Sequence, residues 1–436
     1  MTLHRTPAGP VRMRDRALAP DLARGLMLAL IALANSVVYL HARPYGPRQH
    51  IVEHGLLDRI VGIVTVTLVD ARAYPMFAAL FAYGIVQIHQ RQRAAGLPDD
   101  QIRRQLRRRS RWLIGFGFAH ALLLFPGDIL GLYGLVGLLL VALIPVADRR
   151  LLTAAGLWLI VVAAVQGAAY LSPGTGQRSF FWSFETSAPW TALMLRPAEW
   201  LMTPLGVIGV GSAVLVGTWA GRRGVLTEPG AHRGLLVRTA AVGLTLAVVG
   251  GLPAGLMVGH LWTPDGVLTQ WAVNALHAVT GIASGLGYAA LIGLLALRSG
   301  DRPGPVTRAL AAVGQRSLTF YLLQSVVFVV LLTPLPYSLG LGAELGTAGV
   351  AAVAVTTWLA SVVLAAAMRA RGLRGPAEIL LRRLTYRTSS VETAPSGAAS
   401  GGMAPGGAAP GGMAPGGAAP SGAAASGAPP RSAGAR

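Results

Sequence analysis

The chain has 436 residues, of which 53% are hydrophobic and 12% charged, with a mean hydropathy of +0.55; soluble domains are roughly a quarter charged, so a water-soluble globular fold is excluded. The formal net charge is +20, every basic residue is Arg, and there is no Cys, which removes disulfides, thiolate metal sites and Cys nucleophiles. The arginines cluster between apolar runs, a placement that serves topology and anionic lipid headgroups and excludes nucleic acid as a partner.

The apolar runs are about 17–25 residues long, enough to cross a hydrocarbon core roughly 30 Å thick at 1.5 Å per residue. Residues 1–18 form a basic cytoplasmic segment with Arg5, Arg12, Arg14 and Arg16. The run that follows is too long for a cleaved leader and reads as an uncleaved first span. In chain order the predicted spans are Ala19–Leu40, Ala73–His89, Trp112–Phe125, Ile129–Val146, Leu151–Leu171, Pro204–Ala220, Leu235–Val258, Leu268–Leu297, Leu318–Leu332 and Thr347–Met368. Leu56–Val69 is apolar but broken by Asp58 and Arg59, so it is expected to be an interfacial or re-entrant helix outside the membrane. Trp112–Phe125 ends at Pro126-Gly127 and is expected to form a tight helical hairpin with Ile129–Val146.

The fold class is therefore all-α: a polytopic bundle of about ten spans with both ends in the cytoplasm, at the plasma (inner) membrane. Charge bias supports this plan. The loop after the second span holds Arg91, Arg93, Arg103, Arg104, Arg107, Arg108, Arg109 and Arg111, and the segment 369–387 holds six Arg. The opposite loops carry Glu53, Asp58, Asp70, Glu185, Glu199 and Glu344 beside about six Arg. The segment 172–202 is rich in Phe and Trp and is expected to be an interfacial aromatic belt, with a substrate lid as the other reading. The tail 388–436 repeats Gly, Ala, Pro and Met, cannot bury apolar surface, and is expected to be disordered.

Ionisable groups within spans are costly, and mark candidate sites. Asp21 and Arg24 lie three residues apart on one face of the first span. Arg offers a planar fork of donors suited to phosphate; an interfacial anchor explains it equally. Arg316 opens the ninth span at a similar depth, so Asp21, Arg24 and Arg316 form a candidate anionic-ligand site, although the positive-inside rule accounts for the two arginines equally. His120 lies about 13 Å of helix from Arg111, and Asp128 follows at the hairpin tip. His277 is placed at like depth in the eighth span. His120, Asp128 and His277 are candidates for proton handling or general-base chemistry, against single structural hydrogen bonds for each His. Asn35, Asn274 and Gln324 are candidate substrate contacts. Gly281-x-x-x-Gly285 reads as close helix packing. No metal-ligand spacing is found.

These residues carry a resemblance. Arg16-Ala-Leu-Ala-Pro-Asp21-Leu-Ala-Arg24-Gly25 with Asn35, Gly117 with His120, Gly127-Asp128-Ile129-Leu130 with Tyr133, Gly314–Ser325, and Gly375-Pro376-Ala377-Glu378 with 382–386 together resemble the YeiB family over about residues 12–387. The match departs at Ala19 and Pro20, and the tail is additional. The resemblance implies an N-terminal membrane half, 19–230, and a C-terminal membrane half, 231–387, the latter catalogued as domain of unknown function 418. It also implies distant likeness to transmembrane acyltransferases of the acyltransferase-3 and heparan-glucosaminide acetyltransferase-like group. On that likeness an acyl-CoA donor would bind at Arg24, and a His would serve near the outer face for an extracytoplasmic acceptor. Three readings follow: a membrane-bound acyltransferase, a transporter or exporter of a small solute or lipid, and a non-catalytic membrane scaffold.

Overall fold

The computed structural model describes residues 17–171, 174–300 and 302–386. The basic N-terminus and the repetitive tail, with the disorder expected for it, lie outside the described residues. Among the described residues the fold is all-helical, apart from one isolated bridge between Tyr45 and Ile51. The helices are α1 (Leu18–Ser36), α2 (Leu56–Leu68), α3 (Ala73–Ala94), α4 (Asp99–Leu123), α5 (Ile129–Leu143), α6 (Asp148–Ala169) and α7 (Pro189–Trp200). They continue with α8 (Gly206–Arg222), α9 (Arg233–Val258), α10 (Gly266–Arg298), α11 (Pro305–Gly314), α12 (Ser317–Leu332), α13 (Thr347–Ala370) and α14 (Pro376–Tyr386).

Long apolar helices supply the case for a bilayer. Among the described residues seven helical stretches are long and apolar enough to cross one, and eight if α11 and α12 count as one span bent by 81°. Their outward faces expose bulky apolar side chains, such as Ile160 at 68%, Val249 at 60% and Val363 at 71%. Water would penalise such a surface, whereas acyl chains cover it at no cost. These features support a multi-pass membrane protein. All ten predicted spans fall on helices; seven lie in the qualifying stretches, α3 counted together with α2 and α8 together with α7, and three do not. The apolar part of α4 follows a charged half, α5 has only 15 residues, and α12 needs α11.

Leu56–Val69 holds the helix α2, which packs along α9, with Gly255 and Gly259 against Ile63 and Gly251 against Thr67. Together α2 and α3 form one 39-residue candidate span, Leu56–Ala94, broken at Val69–Arg72. Asp58 does not interrupt the helix: its carboxylate accepts from Ala348 N at 2.8 Å, capping the start of α13. The break places Asp70 and Arg72 inside the bundle, where Gly281 faces the Ala71 carbonyl and Gly285 the Arg72 carbonyl.

At the α11–α12 bend, Glu378 of α14 accepts from Leu318 N at 2.8 Å and from the Thr319 hydroxyl at 2.5 Å. A carboxylate is favoured at a helix N-terminus, whose free N–H groups carry partial positive charge. Arg316 at the bend is fully buried and donates to the carbonyls of Ala312 and Leu373 at 2.9 and 2.5 Å.

Candidate functional site

Two cavities enter the bundle from opposite ends of α1. The larger, about 740 Å³, is lined by Asp21, Arg24, Leu28 and Ile31 of α1, by Arg91 and Arg109, and by Glu378. It lies at the arginine-rich end. The smaller, about 350 Å³, is lined by Ala34, Val37 and Val38 farther along α1, and by Arg48, Asp70, Tyr74, Asp128, Phe181 and Glu199. Ile129 lines both, and so forms part of the wall between them. Asn35 sits at this level, where its amide oxygen accepts from the Tyr74 hydroxyl at 3.0 Å.

Next to this wall lies a buried polar network. Pro126 and Gly127 end α4 and turn the chain into α5, and Asp128 caps α5 by accepting from Gly131 N at 2.6 Å through Oδ2. Its other oxygen, Oδ1, accepts from His120 Nδ1 at 2.9 Å. The carboxylate therefore fixes the tautomer: Nδ1 carries the proton, and Nε2 of the neutral ring is left as an acceptor. Nε2 accepts from the Ser325 hydroxyl of α12 at 2.8 Å. His120, Asp128 and Ser325 are 3%, 3% and 4% exposed. The Tyr321 ring lies 4.9 Å from the imidazole, and Tyr321 lines the larger cavity while Asp128 lines the smaller. The network thus bridges the wall, touching one cavity through Tyr321 and the other through Asp128.

Gly117 permits this geometry. A Cβ there would lie 2.1 Å from Gly131 N and 2.3 Å from Asp128 Oδ2. Because part of that obstruction is backbone, Gly117→Ala is expected to force α4 and α5 apart and to destabilise the protein by about 1–3 kcal/mol. A lowered melting temperature of the detergent-solubilised protein checks this.

The second buried cluster surrounds the α2–α3 break. Arg48 donates to Asp70 Oδ2 at 2.8 Å and to Asn274 Oδ1 at 2.9 Å, and its guanidinium lies 4.5 Å from the centre of the Tyr170 ring. His277 Nε2 is 3.3 Å from Asp70 Oδ2. Arg72, fully buried, brings Nη1 to 3.0 Å from the same imidazole nitrogen and also donates to the Asp70 and Ala247 carbonyls. Asp70 lies beside both cations: its carboxylate accepts from Arg48, and its backbone carbonyl accepts from Arg72 at 2.6 Å.

The structure therefore joins His120 with Asp128, but places His277 in the other cluster. Asp21 and Arg24 pair at 3.2 Å and both line the larger cavity. Arg316 does not line it. Asn274 is engaged by Arg48, and Gln324 donates to the Leu28 carbonyl at 3.2 Å. Ser325, Asp70, Arg72, Arg48, Arg91 and Arg109 were absent from the residues singled out as sites. A sequence signal existed for two of them: Asp70-x-Arg72 becomes an intramembrane pair once Leu56–Ala94 is taken as one span.

The aromatic segment is divided. Trp190 is exposed to the bundle's surroundings at 75%, which suits an interfacial belt. Phe180 and Phe181 line the smaller cavity, and Phe184 is buried against Tyr39 and Phe125. Within the segment Arg178 pairs with Glu185 at 3.3 Å, and Glu185 ties it to the bundle by accepting from the Tyr45 hydroxyl at 2.5 Å. Burial holds the Arg178 guanidinium below its ordinary value, with Tyr45 and Glu185 opposing. At the cavity's rim, burial pushes His50 down to about 4 against the pull of Asp70, so its ring is neutral at physiological pH.

Two similarities to known proteins accord with the motif resemblance. Residues 220–388 match the family described as Protein of unknown function (DUF418). The chain is also 26% identical, over 412 residues, to the Uncharacterized protein YeiB of Escherichia coli (strain K12), covering 86% of this chain and 97% of that relative.

Proposed function

We propose that this membrane protein transfers an acyl group from an acyl-CoA in the arginine-lined cavity to an acceptor in the opposite cavity. The observation that carries the reading is the His120–Asp128 pair, buried in the wall that separates the two. Asp128 orients the ring, and Nε2 acts as general base towards the attacking hydroxyl or amine. Arg24, with Arg91 and Arg109, supplies the charge that the donor's phosphates require. The Arg-rich loops at that end support a cytoplasmic position for this cavity, the side on which acyl-CoA is made.

Thiol release from acetyl-CoA by the purified full-length protein tests this directly. Arg24→Ala is expected to raise KM for the donor about 10–100-fold, the range of a lost hydrogen bond to a charged group, with a smaller change in kcat. An unchanged KM removes Arg24 from the donor site.

A second reading has its own support. Two cavities entering from opposite ends and separated by a thin wall suit alternating access by a transported solute. Solute flux in proteoliposomes lacking any acyl donor would favour transport over transfer.

A further inference from the structure

The two cavities share Ile129, yet they are distinct, and direct transfer needs donor and acceptor at one carbon atom at the same moment. A group that takes the acyl from one side and passes it to the other removes that requirement. Ser325 has the chemistry for this. Its hydroxyl donates to His120 Nε2 at 2.8 Å, while His120 Nδ1 donates to Asp128 Oδ1 at 2.9 Å. Hydroxyl, imidazole and carboxylate are linked in the order that activates a serine nucleophile, whatever the fold that holds them.

The surroundings fit the step. Tyr321 precedes Ser325 by one helical turn on the same face of α12. The Tyr321 hydroxyl accepts from Ile129 N at 3.5 Å, so its own proton is left to donate. A cavity-lining hydroxyl with a proton to give is suited to a carbonyl oxygen that gains negative charge under attack. Tyr321 faces the larger cavity, and Asp128 faces the smaller.

Resting on the acyl-transfer reading, we infer that Ser325 is a covalent way-station which carries the acyl group between the two cavities as an ester. In the first half-reaction Ser325 Oγ attacks the thioester carbonyl. The new C–O bond forms, the C–S bond breaks, and the hydroxyl proton passes through His120 Nε2 to the departing thiolate. In the second, the acceptor's hydroxyl or amine attacks the Ser325 ester. Its proton goes to His120 and then to Ser325 Oγ, which is regenerated. The exchange is redox-neutral and needs no further reactant.

The test uses the full-length protein in detergent with acetyl-CoA labelled in the acetyl group and no added acceptor. After denaturation, the parent is expected to retain label on the peptide containing Ser325 as an alkali-labile ester. Ser325→Ala is expected to lose that label and to release thiol at least about 1,000-fold more slowly, the scale of losing a nucleophile. Ser325→Cys, nearly isosteric, guards against misfolding: it is expected to carry label as a thioester cleaved by neutral hydroxylamine. Undiminished thiol release by Ser325→Ala would overturn the covalent step and leave the acyl-transfer reading standing, as would label on a different residue. If the parent kept no label and released no thiol in the absence of an acceptor, the covalent step would fall while direct transfer stood; no thiol release with hydroxyl or amine acceptors added would sink the acyl-transfer reading as well.

Discussion

Replacing His120 with Ala is expected to slow thiol release from acetyl-CoA by about 100–10,000-fold, the contribution of a positioned general base. Nε2 is the only basic atom that the imidazole offers to Ser325 or to an acceptor, because Nδ1 is committed to Asp128. Asp128→Asn refines the result. Asn caps a helix about as well as Asp, so α5 keeps its first turn and the folded protein keeps most of its stability. Asn does not fix the imidazole tautomer, however, and a loss of up to about 10,000-fold is expected. Activity equal to the parent in either variant would remove the pair from the mechanism. A matching fall in melting temperature and activity would make the network a structural one.

The second large effect is on stability. Asp70→Ala strips the carboxylate that Arg48 contacts at 2.8 Å and that lies 3.3 Å from His277, leaving two buried guanidiniums without it. Breaking a buried ion pair by removing one partner costs about 3–5 kcal/mol. A clear drop in the melting temperature in detergent is expected. The double change Asp70→Ala with Arg48→Met is expected to recover part of that loss, since it removes the orphaned charge as well as its partner. Additive losses in the double variant would show that the two side chains act independently.

The contrast between these clusters explains what the sequence could show. Hydropathy and arginine placement located the helices well, because burial in lipid constrains each span by its own composition. The α4–α5 hairpin was legible too: Pro126-Gly127 sets the turn, and eight residues then separate His120 from Asp128, a local relationship. The grouping of His277 with His120 did not hold, because depth along the bilayer normal is one coordinate of three. Which way each helix turns its face is decided by packing, and His277 turns towards Asp70 and Arg72, 205 residues distant from the latter. Ser325 escaped for the same reason. It is a small polar residue in a span, common as helix-to-helix glue, and becomes distinctive only when α12 is laid beside α4. Asp58 and Arg59 made α2 look like surface. Their partners, Ala348 N for the carboxylate and the Gly259 carbonyl for the guanidinium, come from distant segments.

Ile129 has one consequence reaching beyond catalysis. Were both cavities filled with electrolyte from opposite faces of a membrane, the two bulk phases would approach each other, and much of the transmembrane voltage would fall across the protein left between them. Each elementary charge carried over that distance feels about 2.3 kcal/mol per 100 mV. A branched hydrocarbon side chain shared by both cavity walls would then act as an insulator, interrupting a water wire and sparing an energised membrane a proton leak.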